Sequence, residues 1–313
     1  MPEVAVKYNL KIENALESSG TVDFHRLARL AEGLRRISEG ALQIRLQGIS
    51  KAKGRKKTSL HDALKVTLTG ISKGSTVLDL ETRTFGETLS DFQTDLFRME
   101  IQQELLNQTP ISLFISTFQD AMSDKQDYET LDKPLLNELK RFKSSFLSDN
   151  EALIVSNEGS VTELELRNEH FEKIRDLEEN TPESDSVIMN GIVEELKFSK
   201  LKVRIQTDDG MADGFLSDAR VSEEIAPYWG KKVTITGTVH YKPGGKSVIE
   251  IEKIGKPGDR DDYFSKKPQS LTVEQQLAKY LREGHRNRLS EISGKWPGDE
   301  TDKEFEKMIK DLD

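Results

Sequence analysis

The stretch KKVTITGTVHYKPGGKSVIEIEKI, Lys231–Ile254, decides how the chain is read. Val233, Ile235 and Val239 alternate with Thr234, Thr238 and His240, the period of a strand with one face buried. Pro243-Gly244-Gly245 supplies a turn, and KSVIEIEKI returns as a second strand. Upstream, VIMNGIVEEL, LKVRIQT and DGFLSD give three more short strands, with Asp208-Asp209-Gly210 as a turn. In the second of these, Leu201, Val203 and Ile205 alternate with Lys202, Arg204 and Gln206. A helical stretch, VSEEIAPYW, separates the third strand from the fourth. Three strands, a helix and two strands is the order of an OB-like small β-barrel, with an SH3-like barrel as the next reading.

Working outward, the chain reads as α+β in four parts. Residues 1–150 form an α+β body with a helical layer, and 151–256 a β-hairpin plus the OB-like barrel. Residues 257–269 read as a Gly/Pro/charge-rich linker, and 270–313 as a helical tail. In the body, Val4, Val6, Tyr8, Leu10 and Ile12 alternate as a strand. Thr21 then reads as the cap of a helix burying Leu27, Leu30, Ala31, Leu34 and Ile37. ALKVTLTGISKGSTVLDLET reads as a hairpin turning at Lys73-Gly74-Ser75, and helices are predicted over 111–122 and 134–146. EALIVSN and SVTELEL form the next hairpin, followed by the helix RNEHFEKIRDLEEN.

Composition excludes several classes. The 313 residues contain no cysteine, so disulfides, thiolate metal sites and a cysteine nucleophile are out. No apolar run approaches the roughly 18 residues of a membrane span, and the first residues do not form a secretory signal. A cytoplasmic, bacterial protein fits. His25, His61, His170, His240 and His285 show no metal-ligand spacing, and no serine elbow or phosphate-cradling glycine loop is present. Asp208-Asp209 and Asp261-Asp262 read as turn and linker residues rather than acid/base pairs. The expectation is a protein that is not an enzyme and needs no cofactor or metal.

The formal charge of -9 is uneven, since residues 1–60 carry twelve Lys and Arg against six Asp and Glu. Lys51, Lys53, Arg55, Lys56 and Lys57 form a candidate nucleic-acid-binding loop, which reads equally as a solvated connection. The alternative function is therefore a nucleic-acid-binding regulator using this loop and the OB-like barrel. The barrel itself looks a poor platform. Residues 185–255 hold ten basic and eleven acidic side chains and few aromatics, among them Phe198, Phe215, Tyr228, Trp229 and Tyr241.

The tail carries the sharper signal. Thr301 and Glu304 make a capping box, and Phe305, Met308, Ile309 and Leu312 form one apolar stripe. Trp296 and Pro297 sit one turn upstream, and the whole suits helix-in-groove recognition. The alternative, less favoured, is that the stripe folds back on its own body. LSEISGKWPGDETDKEFEKMIKDL, residues 289–312, resembles the C-terminal segment of small bacterial antitoxins encoded beside PIN-domain ribonucleases. Five consecutive residues, Trp296-Pro297-Gly298-Asp299-Glu300, coincide. The resemblance implies an antitoxin that neutralises a PIN-domain ribonuclease toxin, with Trp296, Pro297, Phe305, Met308, Ile309 and Leu312 as partner-binding residues. It also implies a cation facing the toxin's acidic metal site, for which Arg286, Arg288 and Lys295 are available. GISKAKGRKKTSLHDALKVTLTGISKGSTVLDLE, residues 48–81, is similar to uncharacterised bacterial proteins with a GSTVL-type pattern, also neighbours of PIN-domain genes. The chain departs from the small antitoxins in the length that precedes the tail.

Overall fold

A computed structural model describes residues 5–51, 58–72, 76–89, 103–124, 128–157, 159, 161–197, 202–216 and 225–270, with positions 275, 278 and 281. The chain divides into two units, Met1–Pro268 and Gln269–Asp313. The first contains a helix-covered sheet and a barrel.

The sheet is antiparallel and centred on β1 (Val6–Glu13). On one side lie β3 (Thr76–Thr82) and then β2 (Val66–Ser72); on the other lie β4 (Ala152–Ser156) and then β5 (Leu164–Arg167). Alternation fixes which face is covered. Tyr8 pairs with Leu80 and Leu10 with both Leu78 and Val155, and all of them are buried. Hairpin β4–β5, which local sequence groups with the barrel, thus extends the first sheet. Its Leu153, Val155, Leu164 and Leu166 complete the core around Leu10 and Ile12. The body therefore runs past the boundary expected at residue 150.

Helix α1 (Phe24–Gln47) covers this face with Leu30, Leu34, Ile37, Ala41 and Ile44, spaced by four and three. Asp23, rather than Thr21, is its cap: the Asp23 carboxylate accepts from the amides of His25 at 2.8 Å and Arg26 at 3.2 Å. The Thr21 hydroxyl instead donates to the Ser18 carbonyl. The buried stripe also starts differently, since Ala31 is exposed and Leu27 only half-buried. Gly48, at φ 86°, ends the helix in the left-handed conformation that glycine adopts without strain.

Short helical turns follow at α2 (Thr58–Ala63), α3 (Phe85–Thr88) and α4 (Gln103–Leu106). Helices α5 (Pro110–Met122) and α6 (Lys133–Phe142) pack on α1. Thr109 and Ser112 cap α5 reciprocally, and the Thr109 hydroxyl lies 2.9 Å from that of Tyr8 on the central strand. Asp132 caps α6 and also accepts from the Ser50 amide at 2.7 Å, tying the end of α1 to the start of α6. Helix α7 (His170–Asn180) adds Phe171 and Ile174 to the same core.

The approach of α1 to α6 depends on Gly33. A Cβ there would stand 2.5 Å from Cδ2 of Phe142, whose ring is wedged edge-on against Phe114 at 5.2 Å. Gly→Ala inside a helix ordinarily gains up to about 1 kcal/mol, whereas overpacking costs about 1–3 kcal/mol. We expect Gly33→Ala to lower the melting temperature despite better helix propensity. A rise would mean that Phe142 can move aside.

The barrel comprises β6 (Asp185–Lys197), β7 (Lys202–Thr207), β8 (Gly210–Leu216), β9 (Lys232–Tyr241) and β10 (Ser247–Gly255). Their order is β10-β8-β7-β6-β9, and β9 pairs back to β10 to close it. β8 and β10 run parallel, and the other neighbours antiparallel. Met189, Val193, Val203, Ile205, Val233 and Ile235 point inward. This closure is compatible with the OB-like order read from the sequence. Of the predicted helix over 221–229, residues 225–229 are described, and Ala226–Tyr228 among them form a 3-10 turn.

The expected linker is no free spacer over its length to Pro268. A 3-10 turn at Asp261–Phe264 lies against β6. Asp261 accepts from the Thr234 hydroxyl at 2.5 Å and the Gly258 amide at 2.7 Å, which holds its carboxyl below the ordinary range. Further on, the Asp208 amide donates to the Ser265 carbonyl at 2.8 Å, and the Lys267 amide to Asp209 at 2.8 Å. The Asp208-Asp209 and Asp261-Asp262 pairs are thus clasps between the barrel and the segment that leaves it. Sequence alone does not distinguish a solvated carboxylate from one accepting such bonds.

Candidate functional site

The end of α1 meets the barrel across a cleft of about 710 Å³. One wall is Ile44, Arg45, Gln47 and Gly48, and a Cβ on Gly48 would come 3.7 Å from Val248 of β10. The other wall is the outward face of β7 and β8, with the β9–β10 turn at one side and Lys267-Pro268 closing the rim.

Alternation along β7 places the cations. Val203 and Ile205 fill the barrel, so Lys202 and Arg204 must point out. Gly244 (φ 86°) and Gly245 (φ 91°) turn the chain tightly after β9, bringing Lys242 and Lys246 to the same cleft. Lys242 is buried, and its ammonium donates to the Glu129 carbonyl of the body. Lys246 pairs with the Glu129 carboxylate at 2.7 Å. Arg204 pairs with Asp213 at 3.0 Å and Glu195 at 3.5 Å.

Among the described residues, seven Lys and Arg line the cleft against three carboxylates, in a chain whose formal charge is -9. Arg45 stands part-buried in the body wall. Its guanidinium donates to the Ala41 carbonyl at 3.1 Å and the Ser116 hydroxyl at 3.3 Å, and burial lowers its pKa, Asp120 partly offsetting this. Neither Arg45 nor Lys202 forms an ion pair with a carboxylate among the described residues. The arrangement can hold an anion, and the charge balance of the barrel sequence conceals it, because what matters is which side each charge faces.

The residues singled out from sequence fall elsewhere. Lys51 is exposed just beyond α1, while Lys53, Arg55, Lys56 and Lys57 lie outside the described residues. So do Trp296, Pro297, Phe305, Met308, Ile309 and Leu312, the cations Arg286, Arg288 and Lys295, and Phe198. Phe215 faces the cleft but is buried, and Tyr241 is buried also. Trp229 is exposed, its indole N–H donating to the Glu194 carbonyl at 3.3 Å.

Among the described residues no cluster of His, Asp or Glu could hold a metal ion, and no helix is long and apolar enough to cross a membrane. Comparison with family models, with curated proteins and with solved structures gave no match to this chain.

Proposed function

We propose that the protein is a non-enzymatic, antitoxin-like binding protein of the bacterial cytoplasm, which neutralises a PIN-domain ribonuclease through its C-terminal segment. The observation that carries this reading is the division of the chain after Pro268. The barrel and its clasp are complete at that point. The WPGDE-containing segment follows that division in the sequence. The capping box, the acidic first turn and the stripe from Phe305 to Leu312 then serve as a helix for a groove. Trp296 and Pro297 anchor it, and Arg286, Arg288 or Lys295 faces the ribonuclease's acidic centre.

Co-expression with the adjacent open reading frame tests this. The full chain should co-purify with a PIN-type protein, and a chain ending at Pro268 should not. Trp296→Ala should weaken the complex about 30-fold or more, the effect of losing a hot-spot side chain worth about 2 kcal/mol. Equal capture by the shortened chain, or by Trp296→Ala, would remove the tail from the mechanism.

A further inference from the structure

We infer that the cleft between α1 and the barrel binds the phosphate backbone of single-stranded nucleic acid. This goes beyond the reading of the tail and does not depend on it.

Three features of the cleft converge. Its described residues reverse the sign of the whole molecule, concentrating a local excess of four positive charges in a chain of formal charge -9. Such a surplus is electrostatically unfavourable in the free protein. A bound anion relieves that cost. Secondly, the cations are distributed rather than convergent. They come from α1 (Arg45), β7 (Lys202, Arg204), the β9–β10 turn (Lys246) and the rim (Lys267), which suits a chain of phosphates better than one phosphate. Thirdly, among the described residues the wall offers little stacking surface. Phe215 lines it and is almost wholly covered, so the phosphates rather than the bases would be held there.

The body–barrel contacts keep the walls fixed. Lys242 and Lys246 of the barrel both reach Glu129 of the body. The site therefore spans body and barrel. Neither part alone contains it.

The test is fluorescence anisotropy of labelled single-stranded RNA and DNA 12-mers, and of a duplex, with the full chain. Four net cations predict binding roughly 50-fold weaker at 200 mM salt than at 50 mM. Lys197→Glu with Lys202→Glu should reduce affinity at 50 mM at least tenfold. These exposed side chains should tolerate the change, which circular dichroism checks. Lys143→Glu with Lys231→Glu, exposed positions that do not line the cleft, should leave affinity within twofold. Binding of RNA alone, of DNA alone or of both at this site supports the proposal. It is overturned if no single strand binds at 50 mM salt, if the control pair weakens binding equally, or if the duplex binds better. Loss of all binding on neutralising Lys53, Arg55, Lys56 and Lys57 would overturn it too, assigning the interaction to the loop instead.

Discussion

Arg26→Ala should destabilise the body by about 3–5 kcal/mol, the cost of removing one partner from a buried charge network. Arg26 has no solvent exposure, although it lies in the first turn of α1. Its guanidinium reaches Glu17 at 2.6 Å, Glu151 at 2.8 Å and the Ser145 carbonyl at 3.2 Å. Glu151 is equally enclosed and also accepts from the Leu147 amide at 2.7 Å. One side chain thus joins the β1–α1 connection, the turn after α6 and the start of β4. Without it, Glu151 is a carboxylate out of water with its counter-ion gone. At roughly 2–4 °C per kcal/mol for a domain of this size, the melting temperature should fall by about 10 °C. Arg26→Lys should recover only part of this, because one ammonium cannot reproduce a planar fork aimed at acceptors on three segments. Replacing both charges by apolar residues, as Arg26→Met with Glu151→Leu, should be milder than Arg26→Ala. It should not reach the original stability, since the Leu147 amide then loses its acceptor. A loss below about 1 kcal/mol for Arg26→Ala, read from a thermal or denaturant melt, would show the network to be dispensable.

The network also shows where the sequence stops being readable. Arg26, Leu30, Leu34 and Ile37 share one helical face, but the apolar pattern read from sequence starts at Leu27 and does not mark a first-turn arginine as buried. Its acceptors, 9 and 125 residues away, are set by tertiary packing and leave no local trace. The same holds for strands. Alternation identifies β4 and β5 as strands, but the choice of β1 as partner comes from matching apolar faces over 140 residues of chain. The barrel is more legible, because its strands follow one another closely with turn residues between them. In the cleft, the outward position of Lys202 and Arg204 follows from the pleat. That α1 delivers Arg45 opposite them, and that the segment after β10 folds back to bring Lys267, depends on contacts between distant segments.

Gly237→Ala should be the most damaging small change in the barrel. Gly237 occupies an inward position of β9, between Ile235 and Val239, where the pattern otherwise calls for a large apolar residue. It pairs with Val187 of β6 on one side and Ile251 of β10 on the other. A Cβ here would lie 2.0 Å from the Glu250 carbonyl oxygen and 3.2 Å from the Ile251 Cα. These are backbone atoms in the strand that closes the barrel, so no rotamer change relieves the clash. Either β10 moves away from β9, or β9 bends. The register already shifts at Ile251/Lys253, so the pairing is irregular next to the site of the clash. Overpacking costs about 1–3 kcal/mol where side chains can adjust, and with a backbone obstacle the upper end of about 3 kcal/mol is expected. Gly255→Ala supplies the control, since a Cβ at that end of β10 meets nothing within 4 Å; it should change stability little. Amide exchange separates the outcomes: Gly237→Ala should lose protection at Ile249 and Ile251, and at Gly214 and Leu216 on the parallel neighbour β8, while β1 and β3 of the body keep theirs. Loss confined to the barrel would also predict weaker single-strand binding, because β8 forms part of the cleft wall. Unchanged exchange and melting would mean that β10 accommodates a methyl group at its closure, and that glycine at this position answers to something other than space.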